Sequence, residues 1–153
     1  ARGIKAPVPF GTLASFTGVP FFGLDEMHLL GHGLGRMLWS FLVNEKEKFG
    51  SQSDDYPFSL KKGITLRNIG ETVEKARQTI PTSFQGKWSN TATNTGHYRA
   101  VDWLDFLLYA VPTIVAENLV HDDTRTAIRN LVIACQISLQ WECTDKEIKI
   151  IER

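Results

Sequence analysis

The chain has few cysteines, no excess charge of either sign and no long hydrophobic run. Only Cys135 and Cys143 occur among 153 residues, which is too few for a disulfide framework, and their spacing fits no zinc pattern. Lys plus Arg and Asp plus Glu number 17 each, so the formal net charge is zero. That balance argues against a strongly basic nucleic-acid groove, although a local cluster such as Lys61, Lys62 and Arg67 leaves DNA contact open.

No segment has the composition of a membrane span or a secretory leader. The longest apolar run, Trp103 to Val115, is interrupted by Asp105 and Pro112 and is shorter than the ~20 residues that cross a bilayer. The first residues, ARGIKAPVPFG, lack an apolar core. We therefore expect an intracellular protein without a membrane partner. The chain lacks an initiating Met and ends in the charged run EIKIIER, which we interpret as a segment of a longer polypeptide.

Apolar residues recur at helical spacing along most of the chain. Hydrophobic residues make up 42%, which is enough for a packed core in one domain, or a large piece of one. The repeat predicts helices at about residues 26–43, 66–80, 98–119 and 124–141, and Thr144 to Glu147 has the pattern of a capping box that opens a last helix. We predict a mainly α-helical segment with one or two short strands before Asp25.

Three glycines, Gly31, Gly33 and Gly35, interrupt the first predicted helix. Each costs about 1 kcal/mol of helix stability relative to alanine. We therefore expect another backbone to approach this helix closely. The fourth helix is nearly apolar all round from Leu131 to Leu139, which predicts a central position for it.

The remaining aromatic and polar positions of note have simple structural interpretations. Trp39 and Trp103 lie on apolar stripes, so we expect them in the core. Trp88 lies in a polar loop, where it either stacks on a nucleic-acid base or, more commonly, fills a local hydrophobic gap. Arg99 and Asp102 are spaced for an ion pair on a solvated helix face.

The most specific pattern is an apolar, strand-like run that ends at Asp25 and is followed at once by a helix carrying His28 and His32. In one interpretation Asp25 simply caps that helix, which stabilises it by about 1 kcal/mol. In another, Asp25 binds Mg²⁺ or Mn²⁺, because these ions prefer carboxylate oxygens. A third interpretation is a zinc site of Asp25, His28 and His32, although HLLGH lacks the glutamate of the HExxH pattern.

The segment from Phe21 to Leu42 resembles the region around the second catalytic aspartate of CACTA-type (En/Spm-like) DNA transposases, in particular transposase-like proteins of fungi. The motif that carries the resemblance is DEMH, from Asp25 to His28, at the end of an apolar strand. The upstream RGIKAPVPFGTLASF and the downstream YRAVDWLDFLLYAVPTIV are similar to flanking segments of such proteins. The resemblance spans most of the chain, and its specific part is the DEMH region.

The resemblance implies a partial ribonuclease-H-like core that is followed by a helical insertion. Residues 1–25 would be an irregular lead-in and core strand, and residues 26–153 the helical region. Asp25 would be the second of three metal-binding carboxylates of the DDE type, and His28 would shape that site. The three carboxylates would hold Mg²⁺ or Mn²⁺ for DNA cleavage and joining. The other two would lie outside this segment, so the segment alone would be inactive.

The same resemblance implies a nuclear protein whose partner is DNA at transposon ends, and it leaves self-association open. Two alternatives remain beside it. The first alternative is a helical protein-interaction module without chemistry, in which the glycine-rich helix packs closely on a partner. A zinc hydrolase that uses His28 and His32 with Asp25 is the other alternative.

Overall fold

The chain folds into a small helical assembly. A computed structural model describes residues 12–15, 25–43, 56–81 and 86–152. Helix accounts for 69% of these described residues and strand for 2%, which confirms the prediction of a mainly α-helical segment. Among the described residues the extended structure is an isolated antiparallel bridge between Leu60 and Leu119. The predicted strand before Asp25 lies outside the described residues, and the ribonuclease-H-like core stays a prediction.

Within the described ranges the helices form six units, four of which carry the predicted periodicity and one the predicted capping box. Their bounds are α1, a π-helical part Met27–Gly35 continued by an α-helical part Arg36–Val43; α2, Leu66–Ala76; α3, Thr91–Asn94 with a 3-10 turn Thr95–His97; α4, an α-helical part Ala100–Asp105, a π-helical part Phe106–Val115 and a 3-10 turn Ala116–Asn118; α5, Asp122–Ser138; and α6, Asp145–Ile151.

Capping boxes that begin with a threonine mark the start of two of these helices. Thr65 and Asn68 form a reciprocal capping box at the start of α2, and Thr144 and Glu147 form the predicted one at the start of α6. Each box satisfies two backbone N–H groups that have no intrahelical partner at the start of the helix. The helix ends were predicted to within a few residues, because these caps depend on local sequence.

The core lies around α4. The prediction that the helix at residues 124–141, which is α5 in the structure, is central was wrong. Leu107 and Ala110 of α4 are fully buried, and Trp103 is 2% exposed. α5 packs on α4 through one face only, and Ile133 on its other face is 44% exposed. The apolar composition of α5 therefore leaves a hydrophobic outer face. Trp39, Trp88, Trp103 and Cys135 all belong to the core.

Close packing of α1 on α4 explains two of the three glycines. A Cβ atom on Gly31 would overlap the carbonyl oxygen of Ala100, and one on Gly35 would lie 2.5 Å from the carbonyl oxygen of Trp103. The two glycines are one turn apart, so they form a single strip against which the α4 backbone rests. Gly33 is exposed and faces away from α4. The expected backbone contact is thus confirmed for Gly31 and Gly35.

Candidate functional site

Asp25 and His28 form a pair at the exposed start of α1. The backbone N–H of His28 donates to Oδ1 of Asp25 at 3.2 Å, and Nδ1 of His28 lies 2.6 Å from Oδ2. The two side chains are 62% and 75% exposed, respectively. Oδ1 of Asp25 therefore caps the first turn of α1, as the first interpretation held, while Oδ2 contacts the imidazole.

The pair holds a charged carboxylate at the surface. Hydrogen bonds from the side chain and the backbone of His28 lower the pKa of Asp25 below its usual value. Because an ionised carboxylate only accepts hydrogen bonds, Nδ1 of His28 donates to Oδ2 of Asp25. Each carboxylate oxygen also keeps a lone pair beyond the one that His28 occupies. A cation can bind there without displacing the histidine.

The helix behind this pair is held in place by packing. The backbone carbonyl of Asp25 accepts from the N–H of Leu29 at 2.8 Å, which ties Asp25 to the first turn. Gly31 and Gly35 then fix α1 against α4. The carboxylate of Asp25 consequently has a defined position relative to the core although it is exposed.

A complete metal centre is not formed by the part of the chain that the structure describes. No group of three His, Cys, Asp or Glu side chains that could hold a metal ion is found in residues 12–15, 25–43, 56–81 and 86–152. His32 is half-buried one turn beyond His28 and is not joined to Asp25 in such a group. The carboxylate of Glu117, at the end of α4, accepts a hydrogen bond from Nη2 of Arg129 at 2.5 Å.

Asp102 occupies a buried site that the sequence interpretation missed. The predicted ion pair with Arg99 is formed, but Asp102 is only 3% exposed, whereas the Arg99 side chain is 57% exposed. The expectation of a solvated pair was therefore wrong for the acid. It accepts from the backbone N–H of Lys87 at 2.7 Å and from the backbone N–H of Arg99 at 2.8 Å. Nε and Nη2 of Arg99 add bonds at 3.1 and 3.2 Å. Exposed and buried pairs have the same i, i+3 spacing, so the spacing alone could not show that Asp102 is buried.

Two acids on α4 hold the segment that carries Trp88. Asp102 binds the N–H of Lys87, and Oδ2 of Asp105 accepts from the N–H of Gly86 at 2.9 Å. Trp88 has a φ of +49°, a left-handed conformation that bulky residues rarely adopt. Its indole is 7% exposed and fills a gap in the core, which confirms the commoner of the two interpretations given to it.

The pKa values of these two acids shift in opposite directions, although burial raises both. Burial by itself raises the pKa of Asp102, but the hydrogen bonds from Arg99 and Lys87 outweigh it and hold the pKa below its usual value. Burial raises the pKa of Asp105 above its usual value, and the bond from Gly86 opposes the rise only in part. The indole N–H of Trp88 also lowers the pKa of Asp105, although its geometry falls short of a hydrogen bond.

We expect Asp102→Asn to destabilise the fold by about 3 kcal/mol at neutral pH, because an amide can accept only part of the four hydrogen bonds and each charge-assisted bond contributes about 1.5–3 kcal/mol. Asp105→Asn is the matched control. Its amide oxygen can still accept from Gly86, and a neutral group avoids the cost of burying a charge, so we expect no loss at pH 7. Urea denaturation of both variants measures the difference, and equal losses would contradict this account.

The pH dependence of the same two variants follows from the pKa directions. The stabilisation from Asp102 is present above the unfolded-state value of 3.8 and is lost as pH falls through its lower folded pKa. The contribution of Asp105 is present below 3.8 and is lost as pH rises through its higher folded pKa. The penalty of Asp102→Asn should therefore shrink below pH 3.8, and any gain from Asp105→Asn should appear only above it.

Apolar surface is concentrated on the outer side of α5 and α6. A groove of about 480 Å³ lies between these helices. Its lining includes Ile133, Ile150 and Ile151, which are all exposed. No residue of α6 is buried, so the isoleucines of this short helix have little of the fold to pack against.

Comparison of the chain with known protein-family models, curated proteins and solved structures finds no match. The resemblance to CACTA-type transposases therefore depends on the DEMH motif and its flanking segments alone. None of the helices in the described ranges is both long enough and apolar enough to span a membrane.

Proposed function

We propose that the chain is part of a DDE-type DNA transposase-like enzyme in which Asp25 supplies one of three metal-binding carboxylates. The observation that supports this function best is the Asp25–His28 pair, with 2.6 Å between Oδ2 and Nδ1. A carboxylate ligand whose orientation is held by a second hydrogen-bonded side chain is typical of metal sites. The exposure of the pair leaves room for partner carboxylates from elsewhere in the enzyme, which would act in the nucleus on transposon ends.

The chemistry proposed for the full enzyme is cleavage and transfer of DNA strands. Two Mg²⁺ or Mn²⁺ ions would be held by Asp25 and two further carboxylates, and such ions stabilise the attacking and leaving oxygens of an in-line displacement. Within this segment, the role of Asp25 is to bind a cation, and the role of His28 is to orient the carboxylate. Gly31 and Gly35 keep both residues in position through the contact of α1 with α4.

Binding of Mn²⁺ to the chain tests the metal assignment. We expect paramagnetic broadening of amide NMR signals from Asp25 to Leu29 on titration with Mn²⁺, and its loss in Asp25→Asn. Asp145 offers a matched site, because it is also an exposed acid at the start of a helix, but it lacks a paired histidine. Broadening at Asp145 that equals the broadening at Asp25 would show that the ion binds any helix start, which would refute a specific site.

A helical protein-interaction module is the second candidate function, favoured by the exposed isoleucines of α5 and α6. The same titration separates the two functions, since a pure interaction module has no reason to bind Mn²⁺ specifically at Asp25. Zinc in place of Mn²⁺ tests the remaining alternative, because a zinc hydrolase would retain stoichiometric zinc through His28 and His32.

A further inference from the structure

The zero net charge of the chain conceals a strong asymmetry. Residues 56–101 contain seven Lys and Arg residues and two acids, a net charge of +5, although one of these cations, Arg99, pairs with Asp102 directly after the stretch. Because the whole chain is balanced, the remaining residues carry −5. The basic stretch includes α2, α3 and the segments beside them, so one contiguous part of the sequence supplies the excess. An uneven charge distribution of this kind is typical of proteins that bind an oppositely charged partner.

The densest cationic part of this stretch precedes and opens α2. Lys61, Lys62 and Arg67 are all exposed, and no acid occurs between Asp55 and Glu71. We call Lys61, Lys62 and Arg67 the basic face. The carboxylate of Glu117, whose backbone carbonyl Lys61 contacts, pairs with Arg129 at 2.5 Å.

The backbone that carries the basic face is anchored. The N–H of Lys61 donates to the carbonyl of Asn118 at 2.8 Å, and the N–H of Val120 donates to the carbonyl of Ser59 at 2.9 Å. Nζ of Lys61 also donates to the carbonyl of Glu117 at 2.6 Å, which leaves two of its three donors. A tight turn follows, in which Gly63 has a φ of +83°. The cations are therefore displayed from a fixed scaffold, which lowers the entropy cost of binding.

The placement of Arg67 is unfavourable for the helix itself. The first turn of α2 contains no acid and has Arg67 instead, although the positive end of the helix dipole favours negative side chains there. A sequence that departs from a local rule without a structural gain often does so at a functional position. Arg67 makes an anion next to the start of α2 more favourable, since the dipole and the cation then act together.

We propose that the basic face binds the phosphate backbone of duplex DNA. The choice of DNA as the polyanion rests on the proposed function, whereas the position of the contact rests on the charge distribution and the anchored turn. Phosphate contacts of this kind carry little sequence information, so the basic face would hold the duplex and not select its sequence. It would place DNA on the α2 side of the fold.

Salt-dependent DNA binding by the chain tests this proposal. The probe is a short duplex of random sequence followed by fluorescence anisotropy between about 50 and 200 mM salt. The variant Lys62→Gln with Arg67→Gln removes two cations for which the structure shows no hydrogen bond, so we expect it to fold normally. We expect affinity to fall at least about tenfold at the lowest salt and the log–log salt slope to decrease by roughly two.

The matched control is Lys146→Gln with Lys149→Gln, which removes two exposed cations from α6. We expect it to bind DNA with nearly the affinity and slope of the parent chain. Equal weakening by the two double variants would overturn the proposal, as would binding to anionic lipid vesicles in the absence of any binding to DNA. Circular dichroism of each variant verifies that its helix content is unchanged.

Failure of this proposal is distinguishable from failure of the proposed function. If Asp25→Asn prevents cleavage by the full enzyme but loss of the basic face leaves DNA binding intact, the basic-face proposal alone is wrong. If the basic face is needed for DNA binding but Asp25→Asn retains cleavage, the catalytic assignment alone is wrong.

Discussion

Replacing Asp25 with alanine in the full-length enzyme is expected to reduce metal-dependent DNA strand cleavage by about a thousandfold or more. Metal ions contribute several kcal/mol to the stabilisation of charge in such reactions, and each 1.36 kcal/mol corresponds to a tenfold change in rate. We expect DNA binding and the folded state to be unaffected, because Asp25 is 62% exposed on its side chain and contributes only a helix cap to stability. A gel assay of strand cleavage in Mg²⁺ or Mn²⁺ measures the loss.

Two neighbouring variants make that experiment specific. Glu26 is also acidic and exposed, so Glu26→Ala controls for a general loss of negative charge at the start of α1, and we expect nearly full activity. His28→Ala should lose about 10–100-fold, the range typical for residues that orient a metal ligand. If Asp25→Ala cleaved DNA as fast as Glu26→Ala, Asp25 would not be an active-site residue.

The geometry of the Asp25–His28 pair also explains why Asp25 can be both a helix cap and a metal ligand. The cap uses Oδ1 through the N–H of His28, whereas the contact with the imidazole uses Oδ2. A metal needs only the lone pairs that remain. Loss of the cap should cost about 1 kcal/mol, which is small beside the expected loss of cleavage. A measurement of unfolding therefore distinguishes the structural contribution of Asp25 from the catalytic one.

Most helix positions could be predicted because they depend on residues that are close in the sequence. Thr144 and Glu147 identified the start of α6, and the glycines of α1 indicated a close backbone contact, because caps and glycine costs depend on a few adjacent residues. The apolar repeat located the longer helices for the same reason. Helix ends differed by a few residues where an extended residue such as Arg99 precedes the helix.

Features that depend on distant parts of the chain were not predictable in this way. Asp102 is buried because Lys87 and Gly86 cover its side of α4, and no pattern near Asp102 reveals that covering segment. Likewise α5 has an apolar composition, but α4 takes the central position. The strongest clue to the functional role of Asp25 was a motif resemblance, since a single exposed carboxylate has no spacing pattern that indicates its partners.

We expect Gly31→Ala to destabilise the fold by about 2 kcal/mol, the upper end of the net cost, because the clash is with backbone. A methyl group at this position would overlap the carbonyl oxygen of Ala100, and it would also lie 3.2 Å from the backbone nitrogen of Leu104. Both are backbone atoms of α4, so they cannot move aside as a flexible side chain would. Overpacking typically costs about 1–3 kcal/mol, and the gain in helix propensity of about 1 kcal/mol offsets it only in part.

Gly33→Ala is the matched control, because Gly33 lies in the same helix two residues away and is exposed. Its added methyl group would meet only the carbonyl oxygen of His28 at 3.2 Å, so we expect a change of less than about 1 kcal/mol. Chemical denaturation of the two variants measures the difference. If Gly31→Ala were as stable as Gly33→Ala, α1 would not rest on α4 as the structure shows, and the fixed position of Asp25 at the start of α1 would lose its physical basis.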